Sequence, residues 1–252
     1  MKIAVPTEVK NQEDRVGITP VGVRELIDHG HELFVQAGAG LASGFSDAEY
    51  SAQGATITPT EADTWENGEL VLKVKEPVAE EYPLLRNDMV LFTYLHLAAN
   101  WACTDALLAA GTTAIAYETV QTTSGLLPLL HPMSEVAGQL APHIGANLLM
   151  APNGGRGILM GSVTGVHKAK VVVLGGGTAG QNAARAALGM GADVTVLDTD
   201  LDKLRLMLWE FDDRVHQLYS SQLALHEVVP EADVVIGTVL VPGDRTPKLV
   251  TD

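Results

Sequence analysis

Three glycines at a fixed spacing are the residues of this sequence with the clearest chemical meaning. Gly175, Gly177 and Gly180 follow the apolar run 171–174 with the spacing G-x-G-x-x-G. In a dinucleotide site the first glycine permits a tight turn, the second lets the backbone approach a pyrophosphate, and the third lets a helix lie close to the strand. Free N–H groups at the start of that helix would hold the phosphates. The spacing therefore predicts a dinucleotide-binding turn.

An acidic residue after the next apolar run indicates which dinucleotide would bind. The run 192–197 is followed directly by Asp198. A carboxylate at the end of the second strand can accept hydrogen bonds from both ribose hydroxyls, and it would repel a 2′-phosphate. A lone glycine motif is often an ordinary turn, but here strand, turn, helix, strand and acid occur in order. The pattern favours NAD over NADP.

A second group of candidates consists of three residues that each follow an expected strand, namely Arg15, Lys75 and His96. Ligands of open parallel sheets collect outside the carboxyl ends of the strands, so topology would bring these residues together. An arginine can hold a carboxylate bidentately, a lysine can neutralise an oxyanion, and a histidine can exchange protons. Together they suit a small carboxylic acid with a reacting carbonyl or imine, although each alone also has a structural explanation.

The elements that must position these residues alternate along the first 130 residues. Helical patterns with capping or glycine stop signals, such as the capping box that begins at Ser46, separate short apolar runs. Alternating strands and helices imply a parallel, doubly wound α/β sheet. We therefore predict a substrate domain over residues 1–130, with strands at 2–5, 32–36, 56–58, 70–74, 89–95 and 113–117.

Residues 131–252 are expected to form a linker helix and the N-terminal part of a Rossmann NAD-binding domain with about four strands. The helix is predicted over residues 134–150, with Ser134 as its N-cap. Its apolar residues are expected to lie along one stripe, which consists of Val136, Ala137, Leu140, Ile144 and Leu148. The strands are predicted at 171–174, 192–197, 215–219 and 233–237.

Composition excludes several other classes of protein. With 252 residues, 46% hydrophobic and 19% charged, the chain can bury a substantial core. A formal net charge of −15 argues against nucleic acid and anionic membranes as partners. Cys103, a lone cysteine, cannot form an internal disulfide, and we assign no metal site. No signal-peptide pattern follows Met1, and no long uncharged apolar run occurs, so a cytoplasmic location is expected.

Several motifs along the chain resemble bacterial alanine dehydrogenases. The resemblance covers nearly the whole sequence and rests on independent segments, which read KIAVPTEVKNQEDRVGITP, LVLKVKEP, LFTYLHLAA, TTAIAYETVQ, HPMSEVAGQLA and GGGTAGQNAAR. It implies NAD-linked oxidative deamination of L-alanine to pyruvate and ammonia, and the reverse reaction, in a homohexamer.

The resemblance also implies roles for individual residues. The positions of Arg15 and Lys75 would bind the carboxylate and carbonyl of pyruvate or alanine, and that of His96 would act as acid and base. Cofactor-contacting positions would be the glycine turn together with Ser134, Thr178, Ala179, Asp198, Lys203, Ser220, Val239 and Leu240.

The sequence departs from the family pattern at one point. Members of that family continue further, with more strands of the cofactor sheet and an aspartate that works beside the histidine. The sequence therefore predicts a fragment, a frameshifted product or a chain that a partner completes, with little activity of its own. Two alternatives stay open: the NAD-binding subunit of a transhydrogenase-like enzyme, and a non-catalytic nucleotide-binding or assembly module.

Overall fold

The computed structural model describes residues 1–241 and 246–250. The chain divides into two compact units, Met1–Leu127 and Pro128–Asp252. Each unit contains one parallel sheet with helices between the strands, which confirms the expected α/β fold with two parallel sheets.

The first unit is built on six parallel strands. Apolar, β-branched segments such as Ile3–Val5 are buried, as expected for a sheet covered on both faces. The strand order is β3-β2-β1-β4-β5-β6, so the chain crosses over between β3 and β4. The strands are β1 (Lys2–Val5), β2 (Glu32–Gln36), β3 (Thr56–Thr58), β4 (Leu70–Leu72), β5 (Val90–Thr93) and β6 (Thr113–Ala116).

The helices of the first unit begin at capping residues that the sequence supplies. The side chain of Ser46 accepts a hydrogen bond from the N–H of Glu49, and Glu49 bonds back, which confirms the predicted capping box. Asn100 caps the helix that buries Cys103. These helices are α1 (Pro20–Asp28), α2 (Asp47–Ala52), α3 (Glu61–Asn67) and α4 (Trp101–Ala110).

Three strands of this sheet end earlier than predicted, β4 and β5 by two residues each and β6 by one. β4 ends at Leu72 and β5 ends at Thr93, so Lys75 and His96 lie in the loops beyond them. β4 and β5 end early because carboxylate side chains compete with the neighbouring strand for backbone N–H groups. Carboxylates of Glu8 and Glu118 accept the N–H groups near Lys75 and His96 that a longer ladder would have used.

The second unit contains, within its described residues, a four-stranded parallel sheet in the order β10-β7-β8-β9. Its strands are β7 (Lys170–Leu174), β8 (Asp193–Asp198), β9 (His216–Tyr219) and β10 (Val234–Gly237). Its helices are α5 (His131–Leu149), α6 (Thr178–Gly189), α7 (Leu201–Glu210) and α8 (Gln222–Val228). Because β7 lies between β8 and β10, the glycine turn that follows it sits in the middle of the sheet.

Helix α5 begins before the predicted residue, so the assignment of Ser134 as its N-cap is wrong. The helix starts at His131, with Leu130 in the N-cap position and a proline in its first turn. The fixed φ of Pro132 suits the first helical turn, where its missing N–H costs nothing. Ser134 lies within the helix, and its own N–H donates to the carbonyl of Leu130.

The predicted apolar stripe of α5 is not the face that the helix buries in this unit. Its four large side chains are between 49% and 58% exposed. The buried residues of the helix are instead Gly138, Pro142, Gly145 and Leu149. A Cβ at Gly138 would lie 2.3 Å from the carbonyl oxygen of Ala179, so α5 packs its backbone directly against α6. Close backbone packing selects small residues rather than an apolar stripe.

None of the helices in the described part of the chain combines the length and hydropathy that a membrane span requires.

Candidate functional site

The glycine turn after β7 has the geometry that each glycine was expected to provide. Gly175 has φ +108°, a conformation that favours glycine. A Cβ at Gly180 would lie 1.8 Å from the carbonyl oxygen of Gly175, so only glycine lets α6 approach the strand. Among the described residues, no atom lies within 4 Å of a Cβ built at Gly177. The backbone of Gly177 therefore borders open space.

The start of α6 presents backbone donors to that open space. Gly177 is the N-cap, and the first turn of α6, which the structure describes in full, has neither a side-chain cap nor an acidic residue. The first N–H groups of a helix lack intrahelical acceptors, and the helix dipole attracts negative charge there. The turn therefore fits the pyrophosphate of a dinucleotide.

Asp198 lies beside this turn, at the end of β8. Its Oδ2 accepts the N–H of Gly176 at 2.6 Å, and its Oδ1 accepts the N–H of Asp200 at 2.8 Å. An ionised carboxylate has about four acceptor positions, so two remain for further donors. The carboxylate is thus held in a fixed orientation. Its predicted contact with ribose hydroxyls stays a prediction.

Thr238 contacts the glycine turn from the side opposite Asp198, and this role was not predicted from the sequence. Its hydroxyl lies 2.9 Å from the carbonyl oxygen of Leu174 and 2.8 Å from that of Gly175. The signal was present, since Thr238 directly follows β10, in the position where polar residues serve ligands in such sheets. The predicted contacts Val239 and Leu240 come next in the chain, and Leu240 is 56% exposed.

The other predicted cofactor positions lie on several elements of the second unit. Thr178 begins α6, and its hydroxyl lies 3.2 Å from Nδ1 of His131. Ser220 follows β9, and its N–H donates to the carbonyl of Asp198. Lys203, on α7, is exposed and pairs with the carboxylate of Asp200 at 3.7 Å. Ser134 and Ala179 lie on the packed helices α5 and α6.

In the first unit, Arg15 is held by the carboxylate of Glu13. Nε and Nη2 of Arg15 lie 2.7 and 2.6 Å from the two carboxylate oxygens, which is a bidentate pair. The hydrogen bond from Arg15 holds the pKa of Glu13 below its ordinary value. Glu13 thus fixes the plane of a guanidinium that is 46% exposed and can meet a ligand.

Lys75 is positioned by a buried cluster of charges, which we call the Lys73 cluster: Glu8, Lys73 and Glu81. Nζ of Lys73 lies 3.2 Å from the carboxylate of Glu8 and 2.7 Å from that of Glu81, and the lysine side chain is 1% exposed. Glu8 also accepts the N–H groups of Val74 and Lys75, at 2.5 and 3.3 Å. The cluster therefore fixes the backbone that carries Lys75.

His96 has an uncommon backbone conformation. Its φ of 49° and ψ of 39° lie in the left-handed region, where a residue other than glycine pays about 1–3 kcal/mol of strain. The carboxylate of Glu118 accepts the N–H of His96 at 2.7 Å and that of Leu95 at 3.2 Å. The ring of Tyr94 is stacked on the imidazole, with 6.2 Å between centroids and 10° between planes.

Two residues connect the three predicted substrate-site residues. The pKa of Glu13 is lowered chiefly by Arg15 and also, to a smaller degree, by the charge of Lys75. Burial raises the pKa of Tyr94, and the charge of Arg15 partly opposes that effect. Tyr94 also stacks on His96, and the arginine, lysine and histidine follow the carboxyl ends of the neighbouring parallel strands β1, β4 and β5, so they lie at the same edge of the sheet. They combine a carboxylate-binding group, a cation and a proton carrier.

The Lys73 cluster makes the stability of the first unit depend on pH. Burial raises the pKa of Glu8 above its ordinary value of 4.5, an effect that Lys73 partly offsets. The folded protein therefore holds this proton more tightly than the unfolded chain. The stability that results is complete below pH 4.5 and is lost as pH rises through the folded pKa. We expect Glu8→Gln to reduce this decline, because glutamine does not titrate, while Glu81, whose pKa is also raised by burial, keeps its own contribution.

Urea unfolding of both proteins between pH 4 and pH 8 measures this effect. Glu13→Gln is a control of opposite sign, because the pKa of Glu13 is lowered and its contribution is lost as pH falls. Identical pH slopes for the wild type and Glu8→Gln would show that Glu8 does not carry the effect.

Four charged residues of this unit have roles that were not predicted from the sequence: Glu8, Lys73, Glu81 and Glu118. Glu8 and Glu118 follow the ends of β1 and β6, so the strand-end rule that selected Arg15 could have found them. No sequence signal distinguishes Lys73 and Glu81 from surface charges, because their burial depends on each other.

Two family models together match almost the whole chain. The family model described as "Alanine dehydrogenase/PNT, N-terminal domain" matches residues 4–137, and "Alanine dehydrogenase/PNT, C-terminal domain" matches residues 141–252. The chain belongs to the alanine dehydrogenase/PNT family. The boundary between the two family models falls within α5, whereas the compact units of the structure divide just before that helix.

Individual relatives agree with the alanine dehydrogenase/PNT assignment. Alanine dehydrogenase of Mycobacterium tuberculosis is 59% identical over 252 residues, which are 100% of this chain and 68% of the relative. Alanine dehydrogenase of Geobacillus stearothermophilus is 50% identical, with the same coverage of each chain. A solved L-alanine dehydrogenase matches with a TM-score of 0.90 and 48% identity, covering 100% of this chain and 69% of that one. A transhydrogenase structure from Sinorhizobium meliloti matches with a TM-score of 0.77 and 27% identity, covering 98% of this chain and 72% of that one.

Proposed function

We propose that this protein is an NAD-dependent alanine dehydrogenase that converts L-alanine to pyruvate and ammonia, and catalyses the reverse reaction. The observation that carries the proposal is the placement of Arg15, Lys75 and His96 at one sheet edge in a family member that also has a complete glycine turn. NAD, when bound, supplies the hydride acceptor.

The residues of the first unit have separate roles in this proposal. Arg15, oriented by Glu13, binds the substrate carboxylate through its planar donors. Lys75, on the backbone that Glu8 holds, stabilises the negative charge at the substrate oxygen. His96 exchanges a proton at that oxygen as the carbonyl or imine forms. Orientation is thus provided before the substrate arrives.

The residues of the second unit hold the cofactor. The N–H groups at the start of α6 bind the pyrophosphate beside Gly177, and Asp198 accepts the ribose hydroxyls with the lone pairs that its backbone contacts leave. The positions Ser134, Thr178, Lys203, Ser220, Val239 and Leu240 complete the cofactor contacts that the resemblance implies.

The first test concerns the cofactor. We expect Asp198→Asn to weaken NADH binding and to narrow the preference for NADH over NADPH, because it removes the charge that accepts the ribose hydroxyls and repels a 2′-phosphate. The loss should be on the order of 1.5–3 kcal/mol for each hydrogen bond affected. Isothermal titration calorimetry with both cofactors measures it.

A nearby carboxylate provides the control for this test. Asp202, on α7, is exposed and pairs with Arg205, so Asp202→Asn removes one negative charge without touching the turn. It should leave the NADH preference unchanged. Equal affinities of the wild type for NADH and NADPH would remove Asp198 from this role.

The second test concerns the substrate. We expect Arg15→Lys to weaken pyruvate binding while NADH affinity stays within about twofold, because an ammonium cannot reproduce the planar fork of a guanidinium. Titration of pyruvate into the NADH complex measures the change. Arg24→Lys, at an exposed pair on α1, is the matched control. A combined loss of NADH affinity and stability in Arg15→Lys would favour a purely structural role.

The proposal includes a cytoplasmic location and a homo-oligomer, the hexamer that the resemblance implies. Light scattering of the purified protein measures the mass of the oligomer.

The transhydrogenase structure has a lower TM-score and a lower sequence identity to this chain than the L-alanine dehydrogenase structure has. This difference supports the dehydrogenase function. NADH binding without pyruvate-dependent NADH oxidation would instead favour a nucleotide-binding module.

A further inference from the structure

Glu118 holds the segment that carries His96 by its backbone. One carboxylate oxygen accepts the N–H of His96 at 2.7 Å, and both oxygens lie 3.2 Å from the nitrogen of Leu95. Glu118 is half-buried and lies two residues after β6, while His96 lies three residues after the neighbouring strand β5. The contact therefore joins two strand ends across the edge of the sheet.

These hydrogen bonds fall where the backbone needs support. His96 is in the left-handed conformation, which persists in a residue other than glycine only when surrounding contacts impose it. Two consecutive N–H groups directed at one carboxylate impose such a turn. The side chain of His96 leaves the backbone in the direction that this turn sets, so the position of the imidazole depends on Glu118.

The residue before Glu118 supports the same segment. The ring of Tyr117 packs edge-on against Tyr94, with centroids 5.0 Å apart, and Tyr94 stacks on the imidazole of His96. Residues 117 and 118 thus constrain both the ring and the backbone of the histidine segment. Elsewhere in the same sheet, Glu8 holds the N–H groups of Val74 and Lys75 in a similar way.

We propose that Glu118 is a positioning residue that fixes the imidazole of His96 for proton exchange with the substrate. The proposal rests on the proposed function, because only there does His96 exchange protons with a substrate. Glu118 acts through the backbone and does not touch the reacting atoms.

The decisive variant is Glu118→Gln, which keeps the shape of the side chain. An amide has one acceptor oxygen, and its NH₂ group would face a backbone donor where the second carboxylate oxygen now lies. The imidazole then loses its fixed position, and misplacement of a reacting group by about 1 Å lowers the rate by up to roughly 100-fold. We expect kcat for pyruvate reduction to fall between roughly 10- and 100-fold, with KM for pyruvate and the Kd for NADH changed less than about twofold.

The matched control is Glu69→Gln. Glu69 also accepts a backbone N–H, that of Lys2 at 2.8 Å, but these residues lie at the opposite edge of the same sheet. This variant should keep kcat, KM and Kd at wild-type values. Unchanged kcat in Glu118→Gln, or equal losses in the two variants, would overturn the positioning role.

Two measurements do not depend on activity and separate this proposal from the proposed function. Amide hydrogen exchange of the wild type should show protection of Leu95 and His96, although His96 is exposed; rapid exchange at both positions would overturn the proposal without any variant. The imidazole NMR signals of His96 should shift and broaden in Glu118→Gln and stay unchanged in Glu69→Gln. If both results are as expected but pyruvate is not reduced, the proposed function fails and the contact stands.

Discussion

Lys73→Met is expected to destabilise the first unit by about 3–5 kcal/mol, because it removes the partner of two buried carboxylates. Glu8 and Glu81 lie 3.2 and 2.7 Å from the Lys73 ammonium, and the side chains of all three are at most 2% exposed. Burial raises the pKa of both acids, so part of the loss can be avoided by protonation. The destabilisation should therefore be smaller at pH 4 than at pH 8. Urea unfolding at the two pH values measures both effects.

An exposed ion pair on the same unit provides the control. Arg24 and Asp28 pair along α1 with side chains that are 55% and 50% exposed. Arg24→Met should change stability by less than about 0.5 kcal/mol. A loss of similar size in Lys73→Met would mean that the buried cluster contributes no more than a surface pair.

Gly180→Ala is expected to destabilise the second unit by at least about 1–3 kcal/mol, the usual cost of forcing an additional methyl group into a packed region. The new Cβ would lie 1.8 Å from a backbone carbonyl of Gly175, which cannot rotate away as a side chain could. Either α6 or the turn must move. Thermal unfolding without cofactor measures the effect, and NADH affinity should fall as well.

The matched variant is Gly177→Ala, in the same turn. Its Cβ meets no described atom within 4 Å, and its φ of −74° suits alanine. Gly177→Ala should therefore fold as stably as the wild type. Its affinity for NADH should nevertheless be lower, because the methyl group occupies the space next to the pyrophosphate. A variant that loses stability without losing NADH affinity would contradict the role of Gly177.

The parts of the fold that could be predicted from the sequence are those with local causes. β1, β2 and β3 have the predicted limits because short apolar runs are bounded by turn residues. The capping box at Ser46 needs only the side chain of Glu49, three residues away. The glycine turn was recognised because its requirements are imposed by the backbone itself.

The parts that could not be predicted depend on residues far apart in the sequence. The ends of β4 and β5 were misjudged because Glu8 and Glu118, distant in sequence, take their N–H groups. The buried face of α5 could not be predicted, because the periodicity of apolar residues cannot show that Gly138 must touch the backbone of α6. Burial of Lys73 was missed for the same reason, since its partners come from two separate loops.

The contact between Thr238 and the glycine turn has a consequence for the order of folding. The carbonyl of Gly175 receives its hydroxyl donor from a residue 63 positions later in the chain. While the protein is being synthesised, β7, α6 and β8 are complete long before that donor exists. Closing such a long loop is among the slow steps of folding. The turn therefore reaches its final form only when β10 docks against β7, so we expect a newly made chain to gain its cofactor affinity after that step.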